Sequence, residues 1–239
     1  MSVVEAPRFC TRISQVGVLL DAHTSEDRWS VLKQIKEQKE TGHSYYYTNA
    51  RHALIRGFSN AVTSEEHKEI ILAEIRRLEE KAQQETDEKK KKELDANIEV
   101  LFQFLVSEKN FVVCPEQIIK EKMSYRHNVG HLEIRFTPDV IFENAKGLGA
   151  VKFRINQNEI GKNHAKATTA MMFRSLEELS NTSESAKKIH LKSCILFDVL
   201  HNKTYYATDK NDQIFEKIGK VYERDIRVDL ENYLAQLNC

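Results

Sequence analysis

Phe136-Thr-Pro-Asp-Val-Ile-Phe-Glu143 and, after three residues, Gly147-Leu-Gly-Ala-Val-Lys-Phe-Arg-Ile155 decide how this chain folds. Both runs are rich in β-branched and aromatic residues, and the connection between them is short. Together with the alternating Leu132-Glu-Ile-Arg-Phe136 just upstream, they predict two adjacent antiparallel strands, Leu132–Phe142 and Ala150–Ile155, in the interior of a sheet. An Asp follows a Pro in the first strand, and a Lys sits inside the second. Strand alternation places Lys152 and Arg154 on one face.

Working outward, Ser193-Cys-Ile-Leu-Phe-Asp-Val-Leu200 reads as a buried strand that turns through His201-Asn-Lys203 into Thr204-Tyr-Tyr-Ala207. A helix is predicted over 162–180, with Ala165, Ala167, Ala170 and Met171 as a small apolar face, and another over 212–237. Phe111–Cys114 is a short apolar run, and Gln117–Tyr125 reads as a further strand. The order gives an α/β fold with a mixed central sheet flanked by helices, over residues 111–239.

Residues 1–110 read as an N-terminal helical region. Thr24-Ser-Glu-Asp27 opens a helix with a hydroxyl cap and carboxylates in the first turn, and Trp29, Leu32 and Ile35 follow on its inner face. A second helix spans about 45–61. Thr63-Ser-Glu-Glu66 fits a capping box. Ile71, Ile75, Leu78 and Ala82 then repeat at helical spacing, and so do Leu94, Ile98, Leu101 and Leu105 beyond the run Glu88-Lys-Lys-Lys-Lys-Glu93. The two stripes predict a projecting helical hairpin over about 63–107 with a solvated tip. Tyr45-Tyr-Tyr47 reads as a buried aromatic cluster ahead of a base-stacking one.

Composition narrows the function. The 239 residues carry 36 Lys+Arg against 36 Asp+Glu, which argues against bulk electrostatic coating of nucleic acid and leaves room for a local basic groove. No apolar run is long enough to span a bilayer, and Met1–Pro7 lacks the features of a signal peptide. Cys10, Cys114, Cys194 and Cys239 are scattered, without the paired spacing of a zinc site, and are read as free thiols in a reducing, cytoplasmic setting. Gly147-Leu-Gly149 lacks the further glycine and lysine of a phosphate loop and reads as a turn.

The Pro138-Asp139 pair, its spacing to Ala150-Val-Lys152, and the helix and hairpin that follow resemble the PD-(D/E)XK superfamily of restriction-endonuclease-like nucleases, over about Val112–Tyr206. The resemblance implies a restriction-endonuclease-like core, with Asp139 as a metal-binding carboxylate and Lys152 as the lysine that orients the attacking water or stabilises charge on the phosphorane-like transition state. In that family two carboxylates hold Mg²⁺, which activates water and polarises the scissile phosphate. The second carboxylate should stand at 150, where this chain has Ala150. Glu143 lies about 13 Å along the strand from Asp139, and Glu133 about 20 Å the other way, too far to share an ion. An acid from an upstream helix could complete the site.

The resemblance therefore implies a nucleic-acid-binding protein with a degenerate nuclease core, in DNA processing, mobile-element or defence function, with DNA ahead of RNA as partner. Lys152 and Arg154, with Lys166 and Arg174 on the following helix, are the candidate nucleic-acid contacts, and pairing of Lys152 and Arg154 with Asp139 is the structural alternative. No cofactor is expected, with Mg²⁺ only if another acid joins Asp139. Two alternatives stand beside this expectation: an active nuclease with a relocated acid, and an interaction module that binds a homodimer mate or a protein partner through the hairpin.

Overall fold

The computed structural model describes residues 9–22, 24–37, 46–61, 63–107, 117–119, 124–182 and 188–237. The predicted strand at Phe111–Cys114, and Tyr45, Cys114 and Cys239, lie outside them. In chain order the elements are β1 (Phe9–Arg12), α1 (Ile13–Asp21), α2 (Ser25–Lys36), α3 (Thr48–Asn60), α4 (Ser64–Gln84), α5 (Glu88–Val106), β2 (Gln117–Ile119), β3 (Tyr125–Val129), β4 (Leu132–Phe136), β5 (Val140–Asn144), β6 (Gly147–Arg154), α6 (Lys162–Thr182), β7 (Ile189–Asp198), β8 (Lys203–Tyr206), α7 (Asn211–Val221), a π-helical turn (Tyr222–Ile226) and α8 (Arg227–Leu237). The fold is mixed α/β. Among the described residues, no helix is long and apolar enough to cross a membrane.

Five strands form a sheet in the order β2-β5-β6-β7-β8. Strands β2, β5 and β6 are antiparallel neighbours; β6 and β7 are parallel and joined through α6; β7 and β8 form a hairpin. The predicted antiparallel pairing holds for Val140–Phe142 against β6, in the register Val140 to Val151, and the strand runs on to Asn144. It fails for Leu132–Phe136. That segment is β4, the centre of a separate three-stranded sheet ordered β1-β4-β3, parallel to β1 and antiparallel to β3. The break falls at Thr137-Pro138, where proline has no N–H to give a ladder.

The five-stranded sheet is buried on both faces. Val140, Phe142, Val151, Phe153, Ile195 and Phe197 pack against the α3–α5 layer. Ile141, Leu148, Ala150 and Cys194, on the alternate positions, pack against α1, α6 and α7. Both clusters draw on residues from either side of position 110. The α4–α5 hairpin forms as the two stripes require, with Ile71, Ile75, Leu78 and Leu101 in one cluster. It lies against the sheet, since the Phe104 ring meets those of Phe153 and Phe197 edge-on. Thr63 caps α4 with the full capping box, and Asp87 caps α5. Thr24 caps α2, where Leu32 and Ile35 are buried but Trp29 is exposed, with Lys36 over its ring. Trp29 stands about 120° around the helix from Ile35, at the margin of the apolar stripe. Cys194 is a fully buried thiol whose surroundings push its pKa up to about 12.

One contact closes the sandwich from the far end of the chain. Asp21, the last residue of α1, caps α6: Oδ1 accepts from the Asn163 N–H at 3.0 Å and Oδ2 from the His164 N–H at 2.9 Å. The cap is supplied from 142 residues away rather than by the residue preceding the helix. Gly161 makes room for it, because a Cβ there would sit 2.0 Å from Asp21 Oδ2. Asp21→Ala is expected to cost about 1–2 kcal/mol, the usual loss for a cap. Gly161→Ala should destabilise the wild type and do so less in the Asp21→Ala background. Denaturant melts of the four proteins check this, and strictly additive effects would show that the two positions do not compete for the same space.

Candidate functional site

Asp139 precedes β5, opposite Lys152 in the extension of the β5–β6 ladder, where its own N–H donates to the Val151 carbonyl at 2.8 Å. Its side chain is 3% exposed. Lys152 Nζ donates to Asp139 Oδ1 at 3.0 Å and to the Thr137 carbonyl at 2.7 Å. The Phe153 N–H donates to Oδ2 at 2.8 Å. The third side is closed by Arg51 of α3, whose guanidinium forms an ion pair with Oδ1. Arg51 sits in the first turn of α3, where the helix dipole disfavours a cation, and Asp139 offsets that cost.

Burial lowers the Lys152 pKa, opposed by Asp139 and assisted by the positive charges of Arg51 and Arg12. Two cations thus bind one carboxylate directly, with Arg12 near enough for its charge to be felt. Lys152 keeps 24% of its side chain exposed and Arg51 35%, so both remain open to a ligand.

Arg154 does not join Asp139. It shares the face of Lys152 but lies one pleat further, and its Nη1 donates to Asp198 Oδ2 at 2.8 Å. Asp198 is fully buried at the end of β7 and also accepts from the Ile160 N–H at 3.2 Å, with His201 Nδ1 at 3.1 Å from its other oxygen. This carboxylate pins the strand end of β6, the turn before α6 and the β7–β8 turn to one another. Burial lowers the Arg154 pKa, and Asp198 opposes the shift. Lys166 is exposed on α6. Arg174, two turns on, is held by Glu177 at 2.7 Å and by Asp212, and lies over the Phe215 ring. The structure therefore brings together Asp139 and Lys152, ties Arg154 and Arg174 to other carboxylates, and leaves Lys166 on the surface.

Ala150 is fully buried in the apolar cluster under α6. Glu133 belongs to the other sheet, where Arg135 and Arg126 pair with it and Cys10 donates to it. Among the described residues, no three His, Cys, Asp or Glu side chains are grouped to hold a metal. The donors around Asp139 are ammonium, guanidinium and amide N–H, not the oxygens a hard divalent cation requires, so this set does not fit Mg²⁺. The upstream helix does reach Asp139, but it brings a cation rather than an acid. Arg51, Asp198 and Asp21 escaped sequence reading. Asp198 left one usable signal, a charged residue closing an apolar strand, which demands a partner. Arg51 left none.

No protein-family model matches this chain, and no curated protein is significantly similar to it.

His164, in the first turn of α6, packs against Gly17 of α1. Burial holds its imidazole pKa down to about 4, helped by the Arg154 charge and opposed by Asp21. An unfolded histidine takes up its proton near pH ~6.5. Between these values the unfolded chain binds more protons than the folded one, so stability rises with pH. The protein should lose stability as pH falls from about 6.5 to about 4, by at most about 3 kcal/mol from this group. His164→Gln should flatten that slope in urea melts, and an unchanged slope would assign the acid sensitivity elsewhere. Separately, Asp139→Ala leaves Arg51 and Lys152 without their counter-ion. It should cost about 3 kcal/mol, the low end for a broken buried pair, because both cations are partly exposed. Replacing all three with Leu, Met and Met should recover most of the loss, as measured by the denaturation midpoint.

Proposed function

We propose that this chain binds nucleic acid through a degenerate PD-(D/E)XK-like site, in which cationic side chains contact phosphate where relatives of that superfamily would hold metal. The observation that carries the proposal is the charge reversal at Asp139. A buried carboxylate there is overmatched by Arg51 and Lys152, both partly exposed, while Ala150 contributes no acid. Cations in excess of their carboxylate are a local basic feature on a chain whose formal net charge is zero. DNA stands ahead of RNA through the resemblance, and Lys166, exposed on α6, is a further candidate contact. Arg154 and Arg174 are bound to carboxylates, so they contribute positioning before phosphate contact.

In this reading Lys152 has two tasks. Its ammonium bridges Asp139 and the Thr137 carbonyl, which fixes the junction between the two sheets. Its third donor position, and the part of the Arg51 guanidinium that Asp139 does not engage, supply the phosphate contact in this reading. A hydrolytic reading needs an acid beside Asp139, and among the described residues Arg51 occupies that approach.

Fluorescence anisotropy with labelled single- and double-stranded DNA and RNA, across about 50 to 200 mM salt, tests the proposal. Binding should weaken steeply with salt, and Arg51→Ala and Lys152→Ala should each make the slope shallower by about one. Salt-independent binding, or wild-type slopes in both folded variants, would remove the site from nucleic-acid contact. Cleavage in Mg²⁺ or Mn²⁺ that disappears in Asp139→Ala would replace the proposal with an active nuclease.

A further inference from the structure

On the α3–α5 side of the five-stranded sheet, α5 carries two large apolar residues that remain exposed among the described residues. Phe102 and Val106 continue, at four-residue spacing, from Ile98, which is half-buried against the core. Phe102 is 44% exposed and Val106 86%. Single exposed apolar residues are ordinary, but two in line, continuing from the half-buried Ile98 along one groove, form a patch. The row faces Val199 and Leu200 in the β7–β8 turn, and between them lies an open groove of about 680 Å³. Residues spaced by four form one of the ridges through which helices interdigitate, so the row is shaped for a second helix.

Charge selects the partner. Asp95 and Glu99 line the same groove on the turns before Phe102, both exposed, with no ion-pair partner among the described residues. Lys91 and Lys92 stand one turn before Asp95, but Glu99 has no cation within a turn on either side, and no Lys or Arg occurs from Leu94 to Val106. The C-terminal carbonyls of α5 add partial negative charge at the other end. A second copy cannot supply the complement by pairing its own α5. Antiparallel contact centred on Phe102 would set each Glu99 beside the uncharged residues 103–106, and parallel contact would set acid against acid.

We infer that this groove docks an amphipathic helix of a different protein, with an apolar face on Ile98, Phe102 and Val106 and a Lys or Arg one turn beyond that meets Glu99. It is separate from the nucleic-acid proposal and does not rest on it.

The probe is a labelled, end-blocked helical peptide with leucines at i, i+4 and i+7 and two lysines a turn beyond, beside a twin with glutamates in place of the lysines. Anisotropy should show the lysine peptide binding the wild type and the glutamate peptide failing to bind. Phe102→Ser should weaken the lysine peptide by about tenfold or more. Glu99→Lys should reverse the preference. If Phe102→Ser melts early, Val106→Ser carries the same test from a more exposed position. No binding of the lysine peptide, equal binding of both peptides, or wild-type affinity in the folded serine variants would overturn the inference. So would a concentration-dependent dimer abolished by Phe102→Ser, which would place a second copy in the groove.

Discussion

The carboxylate of Asp139 sits where the chain leaves one sheet and enters the other, and three separate parts of the molecule converge on it. Lys152 comes from the neighbouring strand, Arg51 from the helical layer on one face, and the Phe153 N–H from the sheet itself. A buried charge in such a place must be satisfied from several directions, because desolvation is costly and only close, well-oriented donors recover it. The junction at Thr137-Pro138 has no strand ladder to hold it. The side chain of Lys152, bonded to the Thr137 carbonyl, substitutes for the missing backbone contact.

Asp198 repeats the arrangement 44 residues further along the chain from Arg154. It is fully buried, it binds a guanidinium from β6, and it holds the loop that enters α6. Lys152 and Arg154 therefore share a strand face while serving different carboxylates. One end of the sheet is organised by two anion-centred networks rather than by one. Local geometry there is fixed by charges that lie far apart in sequence, with the apolar layers on either side supplying the low-dielectric setting that strengthens them.

Period-two and period-four patterns made the elements legible. The α4–α5 hairpin, α6, the β7–β8 hairpin and the β5–β6 pair follow from stripes that each lie within one segment, and the caps at Thr24 and Thr63 follow from short-range hydrogen bonding. Leu132–Phe136 deceived because its alternation is genuine. Only its partner strands differ, and β1, which pairs with it, lies 123 residues upstream. The site was half legible. Asp139 and Lys152 are opposite each other in register, a short-range fact that spacing conveys. Arg51, Asp21 and Asp198 depend on how whole layers stack, and no periodicity encodes the meeting of a side chain with a carboxylate 88 residues away. Parity was sound for Lys152 and Arg154, but parity names a face and not a partner.

The cap of α6 by Asp21 ties the molecule's order of assembly to its order of synthesis. During synthesis β1 and α1 emerge ahead of their distant partners: α2 packs against both, but β1 pairs with β4, and α1 caps α6. The α4–α5 hairpin, whose contacts are local, can form while the rest is still being made. The N-terminal segment must wait until residues beyond His164 are available, and α6 lacks its cap until that segment returns. The contact between α1 and α6 thus closes a loop of more than a hundred residues, an entropic cost that the local contacts of the α4–α5 hairpin do not carry.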